Sequence, residues 1–322
     1  MPQGRWENRR NDDRIAEDAD QTEVMAIRYG SCNLEAGTFD DRIAGALDDF
    51  EVTDPLDVPS WAADDIKVDN AASEVALELN RRAAILGDAY PFTFDRNRIL
   101  YRQSQTLVYE FCLAVSEAPS LTKGKFQKLP IAFERLVRDT LICFLGPGAN
   151  GMRTGWPGDE HEPRPTRFKQ VVEKLRGRAG EWVWSPDPGL PDDPGDDKDV
   201  GLDVVVWKGV SDQRAGKLFL LAQCACGNGF KTKFHDIDGG FVRLGKWIKP
   251  ISYVMPIRVF CTPRHIPNDL DFSQTHKEAG FTFDRARLTL LAEQVSHREF
   301  ITAEAKESYS SLMELVIAPP AD

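Results

Sequence analysis

The chain has 322 residues, of which 42% are hydrophobic and 10% aromatic, enough to bury a core and to exclude wholesale disorder. Its formal net charge is −11, yet residues 1–70 hold 18 acidic and 7 basic side chains, which leaves the remainder balanced at 33 of each. The body of the chain therefore keeps enough Lys and Arg for local basic patches, and the overall charge does not exclude a nucleic-acid partner.

The compartment is predicted from what the sequence lacks. The chain contains no run of about 18 apolar residues, so we expect no membrane-spanning segment. The first twenty residues are polar and without an apolar core, which argues against a secretory signal peptide. Six cysteines with no C-x-x-C pair predict neither a disulfide framework nor a structural zinc site. We expect a reduced, cytoplasmic protein.

The N-terminal third is expected to be acidic and then helical. Residues 1–60 read as an acidic, partly flexible extension whose first twenty or so residues are mobile. Residues 61–120 follow helical spacing and form a separate helical region. Within it we predict one helix that ends at Gly87 and a second over Ile99–Val115.

Residues 121–322 carry an α/β pattern and are predicted to form the main domain. Two short apolar runs joined by a polar turn predict a hairpin of adjacent central strands. We therefore predict an α/β fold with a mixed central sheet flanked by helices, preceded by the helical N-terminal region. The predicted elements are a helix that stops at Gly146, a helix over Arg167–Arg178, strands at Leu202–Trp207, Leu218–Ala225 and Tyr253–Thr262, and a helical region from Phe283 to about Leu315.

Two polar residues interrupt the predicted hairpin. Asp203 begins one buried apolar strand, where a carboxylate is costly unless a cation or strong donors match its charge. Gln223 lies inside the next strand and also needs partners. Side chains on adjacent strands can face one point in space, and rigidly held oxygens are what a hard divalent cation requires.

These residues resemble a known family. Asp203 in Gly201-Leu-Asp-Val-Val-Val-Trp207, followed by Gln223-Cys-Ala225 in an apolar strand, resembles the PD-(D/E)XK nuclease superfamily, in particular restriction-endonuclease-like proteins of prokaryotic defence systems. The helix that contains Phe133-Glu134-Arg135 is similar to the first core helix of that family. The similarity spans about residues 125–290 and implies a restriction-endonuclease-like sheet. It also implies an endonuclease that hydrolyses DNA phosphodiester bonds with Mg²⁺ or Mn²⁺ in antiphage defence.

The resemblance assigns a role to each matching position. Asp203 would be the central metal ligand, and Gln223 would supply an amide oxygen where the family has Asp or Glu. Glu134 would be the carboxylate borne on the helix. The sequence departs from the motif at Ala225, where the family has its catalytic lysine.

Lysines and arginines near the motif are candidates for the missing amine and for DNA binding. Lys233, or Lys231 as the alternative, would reach back from the segment after the second strand to replace the motif lysine. Lys231, Lys246 and Arg243 would contact the nucleic-acid backbone without reading base sequence. Partners implied by the resemblance are DNA, a defence protein such as a helicase or ATPase, and a second copy of the chain.

Each candidate has a structural alternative. Asp203 would cap a turn, Gln223 would be a core amide bonded to backbone, and Glu134 would pair with Arg138 one turn later. Lys233 would be a solvated loop residue. The corresponding functional alternative is a degenerate nuclease domain that binds nucleic acid or a partner subunit without cutting. A further alternative is a non-nucleolytic subunit in which the acidic N-terminal segment covers a basic cleft as a DNA mimic.

Overall fold

The computed structural model describes residues 4–34, 60–158, 163, 165–191, 201–212, 214–236, 245–249, 254–294 and 298–318. Side chains are described from residue 12 onward, and in the second range from residue 71. The chain forms two compact units, Met1–Ser104 with Ile317–Asp322, and Gln105–Val316. The division predicted at residues 60 and 120 stays a prediction. In the described part of the chain, no helix combines the length and apolar character needed to cross a membrane.

The first unit combines two long helices with a small antiparallel sheet. Its elements are α1 (Gly4–Tyr29), β1 (Ser31–Asn33), α2 (Ser60–Leu86), β2 (Phe92–Asp95) and β3 (Arg98–Tyr101). The strand order is β1-β3-β2. Ala19 and Ala26 on helix α1 are fully buried. The mobility expected for the first twenty or so residues stays a prediction. An alanine-lined face lets two helices approach closely, which an acidic composition conceals.

The helix predicted over Ile99–Val115 is wrong in its first half. Ile99 lies at the centre of β3, where it pairs with Cys32 on one side and Phe94 on the other. Leu107 has a left-handed backbone with φ of 62°, and the helix begins only at Val108. Pairing with β1, which is distant in sequence, and with the adjacent hairpin strand β2 outweighs the local helical spacing at this position.

A buried ionic cluster ties α1 to α2. Arg82 is fully buried, and its Nη1 lies 2.6 Å from Asp20 Oδ1 and 3.0 Å from Glu23 Oε2. Its Nε donates to Glu78 Oε1 at 2.9 Å. Tyr90 Oη donates to Glu23 Oε1 at 2.6 Å. Asp20 and Glu23 are thus buried inside the first unit, where the Arg82 guanidinium neutralises their charge.

The second unit contains the main sheet. Its helices are α3 (Val108–Glu117), α4 (Lys128–Leu145), α5 (Phe168–Ala179), α6 (Asp269–Ala279), α7 (Arg285–Ala292) and α8 (Ala303–Ile317). Its strands are β4 (Ala149–Arg153), β5 (Val183–Trp184), β6 (Val204–Lys208), β7 (Leu218–Cys224), β8 (Ile248–Lys249), β9 (Ile257–Cys261) and β10 (Phe281–Phe283). The predicted helices that end at Gly146 and cover Arg167–Arg178 correspond to α4 and α5, and α4 ends at its Gly146 cap.

The main sheet is mixed. Its order is β10-β9-β7-β6-β4, with β5 and β8 forming a separate two-stranded sheet. Strand β6 runs antiparallel to both of its neighbours, β4 and β7, whereas β9 and β10 run parallel to β7. The predicted hairpin is confirmed, since β6 and β7 are neighbours with Val204 opposite Ala222. The chain is therefore an α/β protein with a mixed five-stranded sheet flanked by helices.

Helices cover the hairpin from more than one direction, which buries both of its faces. Helix α5 contributes Val171 and Leu175 to a cluster with Val205 on β6 and Leu221 on β7. Helix α4 packs against β4, β6 and β7. Because helices cover both faces, every residue from Val204 to Trp207 is buried. This is why β6 is an unbroken run of apolar residues. Any polar group on the hairpin must find a partner inside the protein or in a ligand.

Candidate functional site

Asp203 is held rigidly at the entrance to β6. Its main-chain N donates to Ala222 O at 3.1 Å, and its carbonyl accepts from Thr154 N at 2.7 Å and Gly155 N at 3.0 Å. Its carboxylate Oδ2 accepts from Cys224 N at 2.7 Å. Main-chain and side-chain bonds of Asp203 thus bracket Gln223 on the neighbouring strand. The half-buried carboxylate is fixed by the strand and is not a solvated loop group.

The side-chain amide of Gln223 has a hydrogen-bonded nitrogen and an oxygen without a hydrogen bond. Its side chain is 3% exposed, and Nε2 donates to Asp236 Oδ2 at 3.0 Å. Its Oε1 is buried without a hydrogen-bond partner in the described part of the chain. Burying a polar oxygen without a partner costs about 1–3 kcal/mol, which a bound cation or donor would offset. The amide is oriented by Asp236 so that its oxygen points away from that carboxylate.

Asp236 is a candidate that the sequence did not indicate. It is exposed and follows a short 3₁₀ turn, Phe230–Lys233. Phe230 and Phe234 anchor this segment by packing on Phe260 of the sheet, with the Phe234 and Phe260 rings 5.2 Å apart. The spacing of four between the two phenylalanines is the signal that would have revealed a helical turn docked on the sheet. That docking returns Asp236 to Gln223.

Gly201, two residues before Asp203, lies next to Asp236. Gly201 has a φ of +75°, and a Cβ at this position would lie 3.5 Å from Asp236 Cβ. Positive φ favours glycine because an L side chain is strained there. Two carboxylates and the Gln223 amide are thereby gathered at the start of the β6–β7 hairpin.

Glu134 is buried on α4 but is bound to an arginine. Its side-chain Oε2 accepts from Arg153 Nε at 2.5 Å, and the residue is 6% exposed. A Cβ at Gly155 would lie 2.9 Å from Oε1, so only glycine leaves room for this carboxylate. Arg138, the partner considered from the sequence, donates from its Nε to Asp139 Oδ1 at 2.8 Å. The role of Glu134 as a metal ligand stays a prediction.

The pKa values of two buried thiols, Cys224 and Cys226, show which charged groups lie near the open end of the β6–β7 hairpin. The pKa of Cys226 is raised well above its usual value, first by burial and then by Glu134 and Asp203, while Lys233 lowers it. The pKa of Cys224 is likewise raised by burial, by Asp203 and by Glu134. Glu134, Asp203 and Lys233 thus act on one thiol and share one neighbourhood. Thiols with raised pKa stay protonated at neutral pH and are poor nucleophiles.

The two candidate lysines differ in their partners. Lys231 Nζ lies 3.7 Å from Asp271 Oδ2, a carboxylate that is 7% exposed. Lys233 is exposed and forms no hydrogen bond or ion pair within the described residues. Ala225, at the motif position of the lysine, is fully buried. Lys233 is therefore the better candidate to replace the motif lysine.

The residues predicted to contact nucleic acid are only partly described. Lys246 is exposed, and its carbonyl accepts from Asp187 N at 2.8 Å. Arg243 lies outside the described residues. Among the other basic side chains predicted near the site, Arg178 lies 5.8 Å from the centre of the Trp207 ring. The contribution of Lys246, Lys231 and Arg243 to nucleic-acid binding stays a prediction.

The donor set fits a hard divalent cation in part. Across the described ranges, no three acidic, His or Cys side chains come together as a metal site. The Asp203 carboxylate and the unpartnered Gln223 oxygen nevertheless are the ligand types that Mg²⁺ prefers, and the ion usually keeps several waters. Glu134 fits less well, because Arg153 already neutralises it. Asp236, exposed and next to Gln223, is the second carboxylate at this point.

The chain was also compared with known proteins. No protein-family model, curated protein or solved structure matches it.

Proposed function

We propose that the protein is a metal-dependent endonuclease that hydrolyses DNA phosphodiester bonds as an effector of antiphage defence. The observation that carries the proposal is the buried, unpartnered Gln223 Oε1 beside a rigidly held Asp203 carboxylate. An amide oxygen left without a donor in a core is rare, and a cation is one group that would satisfy it. The choice of DNA and the defence context come from the resemblance to PD-(D/E)XK nucleases.

The proposed fold is restriction-endonuclease-like. Support comes from helix α4 before the sheet, the antiparallel run β4-β6-β7 and the parallel strand β9 beside β7. The two motif residues lie on the paired strands of that sheet, at the same end of the hairpin. This support comes from the arrangement of the strands, and fold alone does not fix function.

In this proposal, Asp203 and Gln223 hold Mg²⁺, and Asp236 orients the Gln223 amide by accepting from its Nε2. When bound, the ion would polarise the scissile phosphate and lower the pKa of a coordinated water. Asp203 supplies negative charge at a fixed position, since the bond from Cys224 N and three hydrogen bonds of its own main chain hold it. Lys233 donates from the edge of the site to the phosphate oxygens on which charge develops. The ion pair between Glu134 and Arg153 links α4 to β4.

The test is incubation of the purified chain with supercoiled plasmid in the presence of Mg²⁺, of Mn²⁺ or of EDTA. We expect nicked and linear plasmid only when a divalent cation is present. Single-stranded RNA of mixed sequence serves as the competing substrate. Cleavage in EDTA, or cleavage of RNA but not DNA, would contradict the proposal as stated.

Lysine variants test the assignment of the amine. Lys233→Met is expected to lower the cleavage rate by about 100-fold, the effect of losing one donor to transition-state charge. Lys231→Met is the matched control two residues away, and its rate should stay close to wild type because Asp271 already engages this amine. The measurement is the initial rate of plasmid nicking. The opposite ranking of the two variants would assign the role to Lys231.

A second candidate is a degenerate nuclease domain that binds DNA without cutting it. The observations that favour it are the Glu134–Arg153 ion pair and the buried Ala225 in place of the motif lysine. Plasmid retardation without nicking, equal in Mg²⁺ and in EDTA, would favour this candidate. Retardation that strengthens with a divalent cation and accompanies nicking would favour the enzyme.

A further inference from the structure

The outward side of helix α5 concentrates positive charge. From residue 167 to residue 178 the sequence has five basic side chains and one acidic side chain, in a chain whose formal net charge is −11. The helix buries its other side, since Phe168, Val171 and Leu175 belong to the core cluster beneath it. We call the outward side the α5 face. Its charged residues, all exposed or half-buried, are Arg167, Lys169, Glu173, Lys174, Arg176 and Arg178.

Acidic side chains do not neutralise the C-terminal half of the α5 face. Within the described ranges, Lys174, Arg176 and Arg178 form no ion pair. Lys174 Nζ donates to the Pro163 carbonyl at 3.0 Å, and this neutral acceptor leaves the charge in place. The Arg178 guanidinium lies 5.8 Å from the centre of the Trp207 ring, a contact that orients it without an anion. The α5 face therefore presents cationic groups that an anionic partner would neutralise.

Gly177 separates the last two arginines of the α5 face. It is exposed, and a Cβ at this position would meet no atom within 4 Å, so packing among the described residues does not require glycine. Glycine inside a helix costs up to about 1 kcal/mol relative to alanine. The missing side chain allows the backbone of a ligand to approach the helix closely. A glycine between Arg176 and Arg178 thus suits a partner that lies along the helix.

The α5 face begins near the entrance of the β6–β7 hairpin. Phe168, at the start of α5, and Leu202, immediately before the candidate aspartate, line one small cavity, whereas the other end of α5 lies over Trp207 of β6. Leu221 packs under α5, and Gln223, two residues later on β7, faces the same side of the sheet. The 12 residues of α5 extend for about 18 Å, enough to pass several phosphates of a duplex.

The composition of the α5 face favours duplex nucleic acid over other anionic partners. None of the exposed or half-buried positions of α5 carries an apolar or aromatic side chain. Helices that bind membrane surfaces insert apolar side chains, and sites for single strands stack bases on aromatic rings. Phosphates of a duplex are contacted by arginine and lysine without any reading of base sequence.

We propose that the α5 face binds the sugar-phosphate backbone of double-stranded DNA and leads the duplex to the β6–β7 hairpin. Arg176 and Arg178 would contact phosphates on either side of Gly177, and Lys174 would contact a further phosphate. Delivery to the hairpin rests on the proposed function, whereas binding to the α5 face requires neither a metal ion nor cleavage.

Fluorescence anisotropy of a labelled, mixed-sequence DNA duplex in EDTA measures this binding without cleavage. We expect saturable binding that weakens steeply with salt, because each neutralised phosphate adds about 0.9 to the slope of log affinity against log salt. Arg176→Met combined with Arg178→Met should lower that slope by about 1.8 and weaken binding roughly tenfold or more at low salt. Gly177→Gln, a longer neutral side chain in a good helix former, should weaken binding without lowering the Tm.

The control removes two positive charges elsewhere. Lys277→Met combined with Lys306→Met, on α6 and α8, should leave both the affinity and the salt slope unchanged. Circular dichroism melts verify that each variant is folded. Equal affinities of the two double variants would overturn the proposal, as would the absence of saturable duplex binding by wild type.

Competing ligands and the plasmid assay separate the remaining outcomes. Equal or tighter binding to a single strand, to phosphatidylserine vesicles or to polyglutamate would overturn the choice of duplex DNA. Duplex binding in EDTA that is lost in the α5 double variant, together with intact plasmid in Mg²⁺, would support the α5 assignment and contradict the nuclease proposal alone.

Discussion

Asp203→Asn is expected to lower the rate of metal-dependent DNA cleavage by about a thousandfold, since a metal ion supplies several kcal/mol of transition-state stabilisation and about 1.4 kcal/mol corresponds to tenfold. Asparagine keeps the shape of the side chain and an oxygen that can accept from Cys224 N. It removes the negative charge that would hold the cation. The initial rate of plasmid nicking, measured in excess Mg²⁺, gives the effect.

The control for this variant lies on the same hairpin. Asp212 is an exposed carboxylate in the turn between β6 and β7, and Asp212→Asn removes one charge without touching the site. Its rate should equal that of wild type. Thermal melts of both variants exclude unfolding as the cause of a loss. Nicking by Asp203→Asn at the rate of Asp212→Asn would place the reaction elsewhere in the protein.

Arg82→Met is expected to destabilise the first unit by about 3–5 kcal/mol, the cost of breaking a buried ion pair by removing one partner. The variant leaves Asp20 and Glu23 buried without the guanidinium that they face, while Glu78 keeps its pair with Arg81. Methionine preserves most of the side-chain volume, so the loss reports on charge more than on packing. Urea denaturation followed by circular dichroism measures the free energy of unfolding.

Arg81→Met is the matched control, one residue away on α2. Arg81 pairs with Glu78 at 2.8 Å, but its side chain is 32% exposed. Partly solvated pairs contribute about 0–1 kcal/mol, so this variant should unfold close to wild type. Equal destabilisation by the two variants would contradict the account of Arg82 as the neutralising group of the cluster.

The buried cluster also bears on the idea that the acidic segment mimics DNA. Asp20 and Glu23 face Arg82 inside the first unit, and their charge is not available to cover a basic surface. Deleting residues 1–60 would remove α1 and leave Arg82 without two of its partners. Substituting exposed acids is therefore the appropriate test of the mimic, with Asp13 and Glu17 on α1 as the described examples.

The second unit was predictable where local pattern and burial agree. Strands β6 and β7 follow from two runs rich in apolar residues separated by a polar turn, and both are central in the sheet. Helix α4 follows from apolar residues at helical spacing and ends at Gly146 as expected. The position of Asp203 at the entrance to β6 could be inferred for the same reason.

The first unit was harder to predict because its contacts are distant in sequence. The acidity of α1 suggested a mobile segment, yet the partner of Asp20 is Arg82, which lies 62 residues further on. Ile99 has helical neighbours in sequence but pairs with the distant Cys32 in a sheet. Neither pairing leaves a local signal that periodicity could detect.

The candidate site shows the same limit. Glu134 has a basic residue one turn later, but the guanidinium that binds it comes from Arg153 on β4. Asp236 lies in a segment without strong periodicity, and only its docking through Phe230 and Phe234 brings it to Gln223. The sequence therefore indicated the hairpin residues, while the groups that complete or neutralise the site depend on tertiary packing.

The central claim is that Asp203 and Gln223 hold a divalent cation, and Mn²⁺ titration followed by electron paramagnetic resonance tests it most directly. The signal of free Mn²⁺ gives the bound fraction without any assumption about the substrate. We predict one saturable site in wild type, at least tenfold weaker binding in Asp203→Asn, and tighter binding in Gln223→Glu, where a carboxylate replaces the amide. Identical Mn²⁺ affinity in all three proteins would contradict the account.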